Sequence, residues 1–243
     1  LNETAAILEV KNLARDVPTK NGPKTIVNDI SYNFEKGRIY NIMGPSGAGK
    51  SSFLRLINRL DEPTKGEVVF NGEKFDQCPA CGLRRKIGYL FQTPYLFPGT
   101  VRDNLLYAKD KLTEEDIQRL VKQSRIPPGI IDDDVENLSI GEKQRVALAR
   151  LLAMDPEVIL LDEPTSALDP TYTKAIEELI KCIVKERSLT VIMVTHNPEQ
   201  ALRMGGQALL LVAGRLVETG TVDEVVKNPK TEVGRRYRDM ELQ

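Results

Sequence analysis

The chain has 243 residues, with 34 Lys and Arg against 35 Asp and Glu, a formal net charge of −1. That length suits one large domain or two small ones with a sizeable core, and the balanced charge excludes a polybasic chain held on nucleic acid by bulk electrostatics. Hydrophobic residues make up 41% and charged residues 28%, ordinary globular usage that argues against wholesale disorder. The longest apolar run, Ala208 to Ala213, is six residues, far short of the roughly 18 that a membrane span needs. No charged-then-apolar leader opens the sequence, so no secretion signal is expected. Three cysteines are too few for a disulfide framework and suit a reducing compartment.

Ile7 to Leu13 alternates apolar and polar residues, and so does Ile26 to Phe34, with Ile30, Tyr32 and Phe34 on one face. Period two predicts half-buried strands, antiparallel at an edge. Arg38 to Met43 is a shorter, more buried strand, followed by a glycine-rich loop and an apolar helix from Ser52 to Asn58. Glu67 to Phe70 is a strand closed by the hairpin turn Asn71-Gly72. Cys78-Pro79-Ala80-Cys81 reads as a loop with two thiols, since one such pair cannot complete a tetrahedral zinc site. Arg84-Arg85-Lys86 reads as a solvated face, and Ile87 to Phe91 as a strand ending at Gln92.

The polar stretch Thr113 to Gly129 reads as part of a helical insertion. Capping boxes mark helix starts at Thr113/Asp116, Ser139/Glu142 and Thr221/Glu224. The second of these precedes a helix over Val146 to Met154. Val158 to Leu161 and Thr190 to Val194 are continuous apolar runs, which suit strands covered by helices on both faces. Between them, Pro170 to Lys185 sets Ile176, Leu179, Ile180, Ile183 and Val184 in one helical stripe. Asp169-Pro170 and Asn197-Pro198 are N-caps with proline at the first helical position. Repeated strand, helix and strand predict an α/β fold with a parallel sheet. Arg235-Arg236-Tyr237-Arg238 near the C-terminus reads as surface.

Gly44-Pro45-Ser46-Gly47-Ala48-Gly49-Lys50-Ser51 matches G-x-x-x-x-G-K-[ST] between a strand and a helix, the setting that motif needs. Its glycines let backbone N–H groups face an anion, and the following helix points its positive end there. Lys50 supplies a charge for β and γ phosphates, and Ser51 an oxygen for Mg2+. The other half of such a site is a carboxylate at the end of a buried strand. Asp162 fits that place as a Mg2+ holder, and Glu163 beside it can orient and polarise an attacking water. His196 closes another apolar strand, at the edge of a parallel sheet where ligands bind.

Gln92, then Leu138-Ser139-Ile140-Gly141-Glu142-Lys143-Gln144-Arg145, then Ser166-Ala167-Leu168-Asp169, then Thr195-His196 stand in fixed order around the two phosphate motifs. This ordered set resembles the nucleotide-binding subunits of the ATP-binding cassette (ABC) family, from about residue 7 to about residue 228. The resemblance implies a P-loop NTPase core with a mixed or parallel sheet, an antiparallel β edge subdomain and a helical subdomain. It implies one domain over 1–243: a nucleotide-binding core over about 1–90 and 155–228, a helical part over about 93–154, and a C-terminal helix over 229–243.

By position, the resemblance implies that Gly44 through Lys50, Ser51 and Ser52 cradle ATP. Gln92 would touch Mg2+ or the water and sense a membrane partner. Ser139 and Gly141 would contact the γ-phosphate on an opposite subunit, Asp169 would cross the dimer seam, His196 would contact the γ-phosphate, and Glu163 would be the catalytic base. Two positions depart from the family pattern. Val17 falls where the family usually stacks an aromatic ring on adenine, an interaction worth on the order of 1 kcal/mol. Ile140 replaces a glycine of the signature, so its side chain must point away from phosphate.

The implied activity is Mg2+-dependent ATP hydrolysis between two copies, energising separate membrane subunits from the cytoplasmic face of the membrane. Within the family the chain most resembles phosphate-importer ATPases and a related metal-export group. Phe91 to Asn104 lies where the family meets its membrane subunit, and Tyr95, Leu96 and Phe97 cluster there as an apolar patch. No nucleic-acid partner is expected. The alternative reading is a soluble cassette ATPase of iron–sulfur assembly. A P-loop kinase or GTPase is opposed by segment 138–145, by His196 and by the lack of an N-K-x-D element.

Overall fold

Two long antiparallel strands, β1 (Ala6–Thr19) and β2 (Gly22–Glu35), lead the chain. They come from a computed structural model that describes residues 6–20, 22–109, 111–166 and 168–241. After β3 (Ile39–Met43) and α1 (Lys50–Leu56), β4 (Lys65–Phe70) returns to the free side of β1. The Asn71-Gly72 turn then adds the short β5 (Glu73–Lys74). The result is an antiparallel sheet in the order β2-β1-β4-β5. Its alternating residues divide as period two requires: Leu8, Val10, Leu13, Ile30 and Phe34 are buried, while Lys11, Ser31 and Asn33 face out.

A second, six-stranded sheet carries the rest. The chain passes through α2 (Ala80–Lys86), β6 (Ile87–Leu90), α3 (Val101–Ala108), α4 (Glu114–Gln123), α5 (Ile140–Ala153), β7 (Val158–Asp162), α6 (Pro170–Arg187) and β8 (Thr190–Val194). It ends with α7 (Pro198–Met204), β9 (Gln207–Val212), β10 (Arg215–Thr221), α8 (Val222–Lys227) and α9 (Glu232–Arg238). Strand order is β10-β9-β3-β8-β7-β6, parallel except for β10. The ends of β3, β6, β7 and β8 therefore share one edge, where Gly44, Gln92, Glu163 and His196 emerge.

Burial explains why the central strands are uninterrupted apolar runs. Val158 to Leu161 and Val191 to Val194 are all at 0% exposure, and each such side chain contributes roughly 1.5–3 kcal/mol by leaving water. On one face Phe53, Leu54, Leu56 and Ile57 pack with Phe34, Tyr40 and Leu160, joining the two sheets. On the other face α5 and α6 supply Leu148, Leu151, Ile176, Leu179, Ile180 and Ile183. Helices α3, α4 and α5 meet around Val101, Leu105, Ile117, Val121 and Val146. Among the described residues no helix is long and apolar enough to cross a membrane.

The structure differs from the sequence reading at several points. Cys81 is not in a loop: Pro79 takes the N-cap position of α2, and Leu83 buries its face. Arg84 is not solvated like Arg85 and Lys86, because its Nη2 donates to the Arg59 carbonyl at 2.6 Å. The signature helix begins at Ile140, directly after its Ser139 cap, rather than at Val146. Tyr237 is half-buried, packing with the cluster of Met43, Ala201, Leu210 and Val225.

The capping boxes at Thr113, Ser139 and Thr221 all form, and a fourth stands at Thr100/Asp103. Glu224 accepts from the Thr221 amide, the Thr221 hydroxyl and Lys230, which push its carboxyl down from 4.5 to about 2. A depressed carboxylate stabilises the fold fully above its unfolded value, and that contribution is lost as pH falls through the folded one. Glu224→Gln is therefore expected to lower the melting temperature near neutral pH. The gap from wild type should narrow as pH is taken from about 6 toward 3 in a thermal-melt series.

Candidate functional site

The glycine-rich loop between β3 and α1 is held by close backbone approaches. Gly44 has φ 144° and Gly49 φ 95°, a region that side chains with a β-carbon rarely adopt. A β-carbon on Gly44 would lie 2.0 Å from the Leu211 carbonyl oxygen, and one on Gly49 would lie 2.3 Å from that of Ile26. Further out, the Gly214 amide donates to Ala48 O at 3.0 Å and the Asn28 amide to Gly214 O at 2.8 Å. Lys50 opens α1, and its buried ammonium donates to Gly44 O and Pro45 O, both at 2.9 Å. Burial pushes that ammonium below the usual lysine value, and the charges of Glu163 and Asp162 oppose the shift.

Two carboxylates at the end of β7 face this loop. Asp162 accepts from the Ser51 hydroxyl through Oδ1 and from the Tyr89 hydroxyl through Oδ2, both at 2.8 Å. Burial and the Asp162 charge raise the Tyr89 hydroxyl far above its ordinary value, so it stays a donor. The chain then turns left-handed at Glu163, φ 45°. Its Oε2 lies 3.1 Å from His196 Nδ1 and 3.5 Å from Gln92 Nε2. Gln92 also donates to Ser166 Oγ at 3.2 Å. Ile26, Ser46 through Ser52, Gln92, Glu163 and His196 line one cleft of about 580 Å³.

The cleft joins a backbone cradle too tight for a β-carbon, a buried lysine, and a serine hydroxyl that donates to Asp162, a carboxylate not itself among the lining residues. Residues 27–166 match the ABC transporter family. The chain belongs to that family. This ABC cassette is 42% identical over 219 residues to Protein STAR1 of Oryza sativa subsp. japonica, across 88% of this chain and 63% of STAR1, so it spans less than two thirds of that relative. It is 39% identical over 224 residues to the phosphate import ATP-binding protein PstB 3 of Natronomonas pharaonis, across 86% of this chain and 81% of that one. Among solved structures, the ATP-binding cassette MJ0796, in a dimeric post-hydrolysis state bound to ADP and Pi, is similar with a TM-score of 0.79. The two share 30% identity over 88% of this chain and 98% of the other. The fold is that of P-loop NTPase cassettes.

Not every residue singled out from sequence reaches the cleft of this ABC cassette. Val17 is not among its lining residues. It lies on β1 opposite Lys24, and β2 is the edge strand that runs along the loop, so Ile26 lines the cleft instead. Ser139, Gly141 and Asp169 also lie outside it. Ser139 caps α5 through Glu142, whose carboxyl is lowered by the Ser139 hydroxyl and amide. Ile140 is 54% exposed, and Gly141 backs onto the Tyr172 ring. Asp169 caps α6, accepting from the Thr171 and Tyr172 amides. Ala167 lies outside the described residues.

Tyr89 was not singled out by sequence, although a hydroxyl-tipped ring in a buried strand signals a polar partner at the strand end. The loop after Gln92 is fastened by two more such residues. Fully buried Asn104 donates to Phe97 O at 2.9 Å and Thr100 O at 3.0 Å, and accepts from the Phe97 amide at 2.9 Å. Arg150 of α5 donates to Asn104 and to Tyr95 O and lies 5.0 Å from the Phe97 ring centre. Tyr95 and Tyr107 are 66% and 69% exposed, while Leu96 packs inward. Gly44→Ala is expected to weaken binding of a fluorescent ATP analogue by on the order of 10- to 100-fold, because the loop must give up its φ to clear Leu211 O. Titration of the folded variant, checked by circular dichroism, measures it.

Proposed function

We propose that this ABC cassette binds MgATP in the cleft, hydrolyses it, and works as a pair of copies that energise separate membrane subunits from the cytoplasmic face. The observation that carries the reading is Glu163, whose carboxylate stands 3.1 Å from His196 and 3.5 Å from Gln92 above a loop that holds Lys50 and Ser51.

The loop amides and Lys50 bind the phosphates. Lys50 needs only to exchange two backbone carbonyls for phosphate oxygens. Ser51 and Asp162 supply hard oxygen donors, the set that suits Mg2+ held by one carboxylate and by substrate phosphates. When bound, Mg2+ neutralises charge on the β and γ oxygens. Glu163 orients a water and takes its proton, with His196 and Gln92 holding the carboxylate in place.

Ser139 and Asp169 are not among the residues that line this cleft, which supports a role for them toward a second copy. The dimeric state of the MJ0796 cassette supports the same pairing. The import function named for PstB 3 supports coupling to transport, and the exposed rings of Phe91, Tyr95 and Tyr107 offer a surface for a membrane subunit. ATP binding then favours the closed pair and hydrolysis releases it.

Glu163→Gln is expected to lower steady-state phosphate release by about 100-fold or more while retaining ATP. Light scattering should show that variant shifting from monomer to dimer with ATP, and unchanged turnover would remove Glu163 as the base. Ser139→Ala should lower turnover about 10-fold or more with monomer affinity for ATP unchanged; an equal loss of affinity argues against a role across the pair.

A further inference from the structure

Behind Glu163 and His196 lies a second cleft, of about 490 Å³, that shares those two residues with the first. Its inner wall is a buried polar network that the proposed hydrolysis leaves unused. Gln200, in the first turn of α7 and 4% exposed, is the hub. Its Oε1 accepts from the Thr195 hydroxyl at 2.7 Å. Its Nε2 donates to the Thr165 hydroxyl at 2.7 Å and to Glu177 Oε1 at 3.1 Å. Glu177, 2% exposed, in turn accepts from Nε and Nη2 of Arg203, both at 2.8 Å.

The chain positions of these partners give the network its meaning. Thr195 immediately precedes His196. Thr165 follows Glu163 by two residues and precedes Ser166, which Gln92 grips. One amide therefore ties the backbone segment that carries Glu163 to the one that carries His196, the partner of its carboxylate. Its orientation is fixed by Glu177, whose carboxylate only accepts, so the amide nitrogen must face Glu177 and the amide oxygen the Thr195 hydroxyl. Packing alone does not call for this arrangement. Apolar side chains of similar volume would join α6 to α7 without the cost of burying an ion pair and an amide.

We infer that Gln200 is a positioning residue for hydrolysis: it locks the His196 segment to the Thr165–Ser166 turn and so sets the angle at which Glu163 meets the attacking water. The inference rests on the proposed role of Glu163. A small misplacement of a catalytic group costs up to about 100-fold in rate, whereas the phosphate loop, on the far side of Glu163, is untouched by the network.

The test is a set of variants assayed for MgATP hydrolysis and for equilibrium binding of an ATP analogue. Gln200→Leu, close in size, should lower kcat about 10- to 100-fold with ATP affinity within about two-fold. In a His196→Ala background the same change should cost little, because the contact through which the His196 segment holds Glu163 is already broken; the two effects would simply multiply if Gln200 only supported the fold. As a second route, Thr165→Val should reproduce the loss, and Thr165→Ser, which keeps the oxygen, should restore most of it. Unchanged kcat in Gln200→Leu, multiplicative losses with His196→Ala, or equal rates in Thr165→Val and Thr165→Ser would each overturn the assignment. A wild-type protein that does not hydrolyse MgATP would overturn the underlying reading and this one with it.

Discussion

The phosphate loop is clamped between carbonyl oxygens of two different sheets, Leu211 in one and Ile26 in the other. At both contacts the gap is too small for a β-carbon, so the distance between the sheets is set by bare backbone. From that clamp the other positions follow. Lys50 begins its helix at the end of the loop and Ser51 comes to 2.8 Å from Asp162. The parallel order of β3, β8, β7 and β6 then brings three more chain exits to the same edge. A site assembled from segments more than 100 residues apart thus depends on two glycines.

Asp162 and Glu163 are neighbours in sequence with opposite surroundings. Asp162 is still part of β7, pairs with Val194, and receives two hydroxyl donors. Glu163 leaves the strand through a left-handed residue and meets an imidazole and an amide instead. One backbone reversal separates a group suited to holding a cation from a group suited to handling a water. That separation is what phosphoryl transfer asks of two carboxylates.

Much of this was legible because the relevant signals are local. The strands expected over Val158 to Leu161 and Thr190 to Val194 form, the first running on to Asp162, since strands buried on both faces are apolar throughout. The phosphate loop and the caps at Thr113, Ser139, Asp169, Asn197 and Thr221 are short patterns with one physical meaning each. Val17 lies off the cleft lining for a nonlocal reason. The β1–β2 pairing carries several register shifts, so counting along β1 does not say which strand runs beside the loop. Likewise Gln200 to Thr165 spans 35 residues and Arg150 to Tyr95 spans 55. Apolar periodicity is blind to such polar ties. The β9–β10 hairpin is hidden because a short continuous apolar run such as Ala208 to Ala213 has no period that tells strand from buried helix, and the helix at Cys81 because Pro79 starts a helix as readily as it ends a loop.

Helix α5 begins at the Ser139 cap and, eleven residues on, holds the Tyr95 loop through Arg150. A straight helix of that span is about 16 Å long. Pivoting it by about 10° around Arg150 would sweep the Ser139 tip through about 3 Å, the full length of a hydrogen bond. One rod thus carries the serine at one end and the grip on the Tyr95 loop at the other, so its geometry magnifies a small tilt into a displacement as long as a contact.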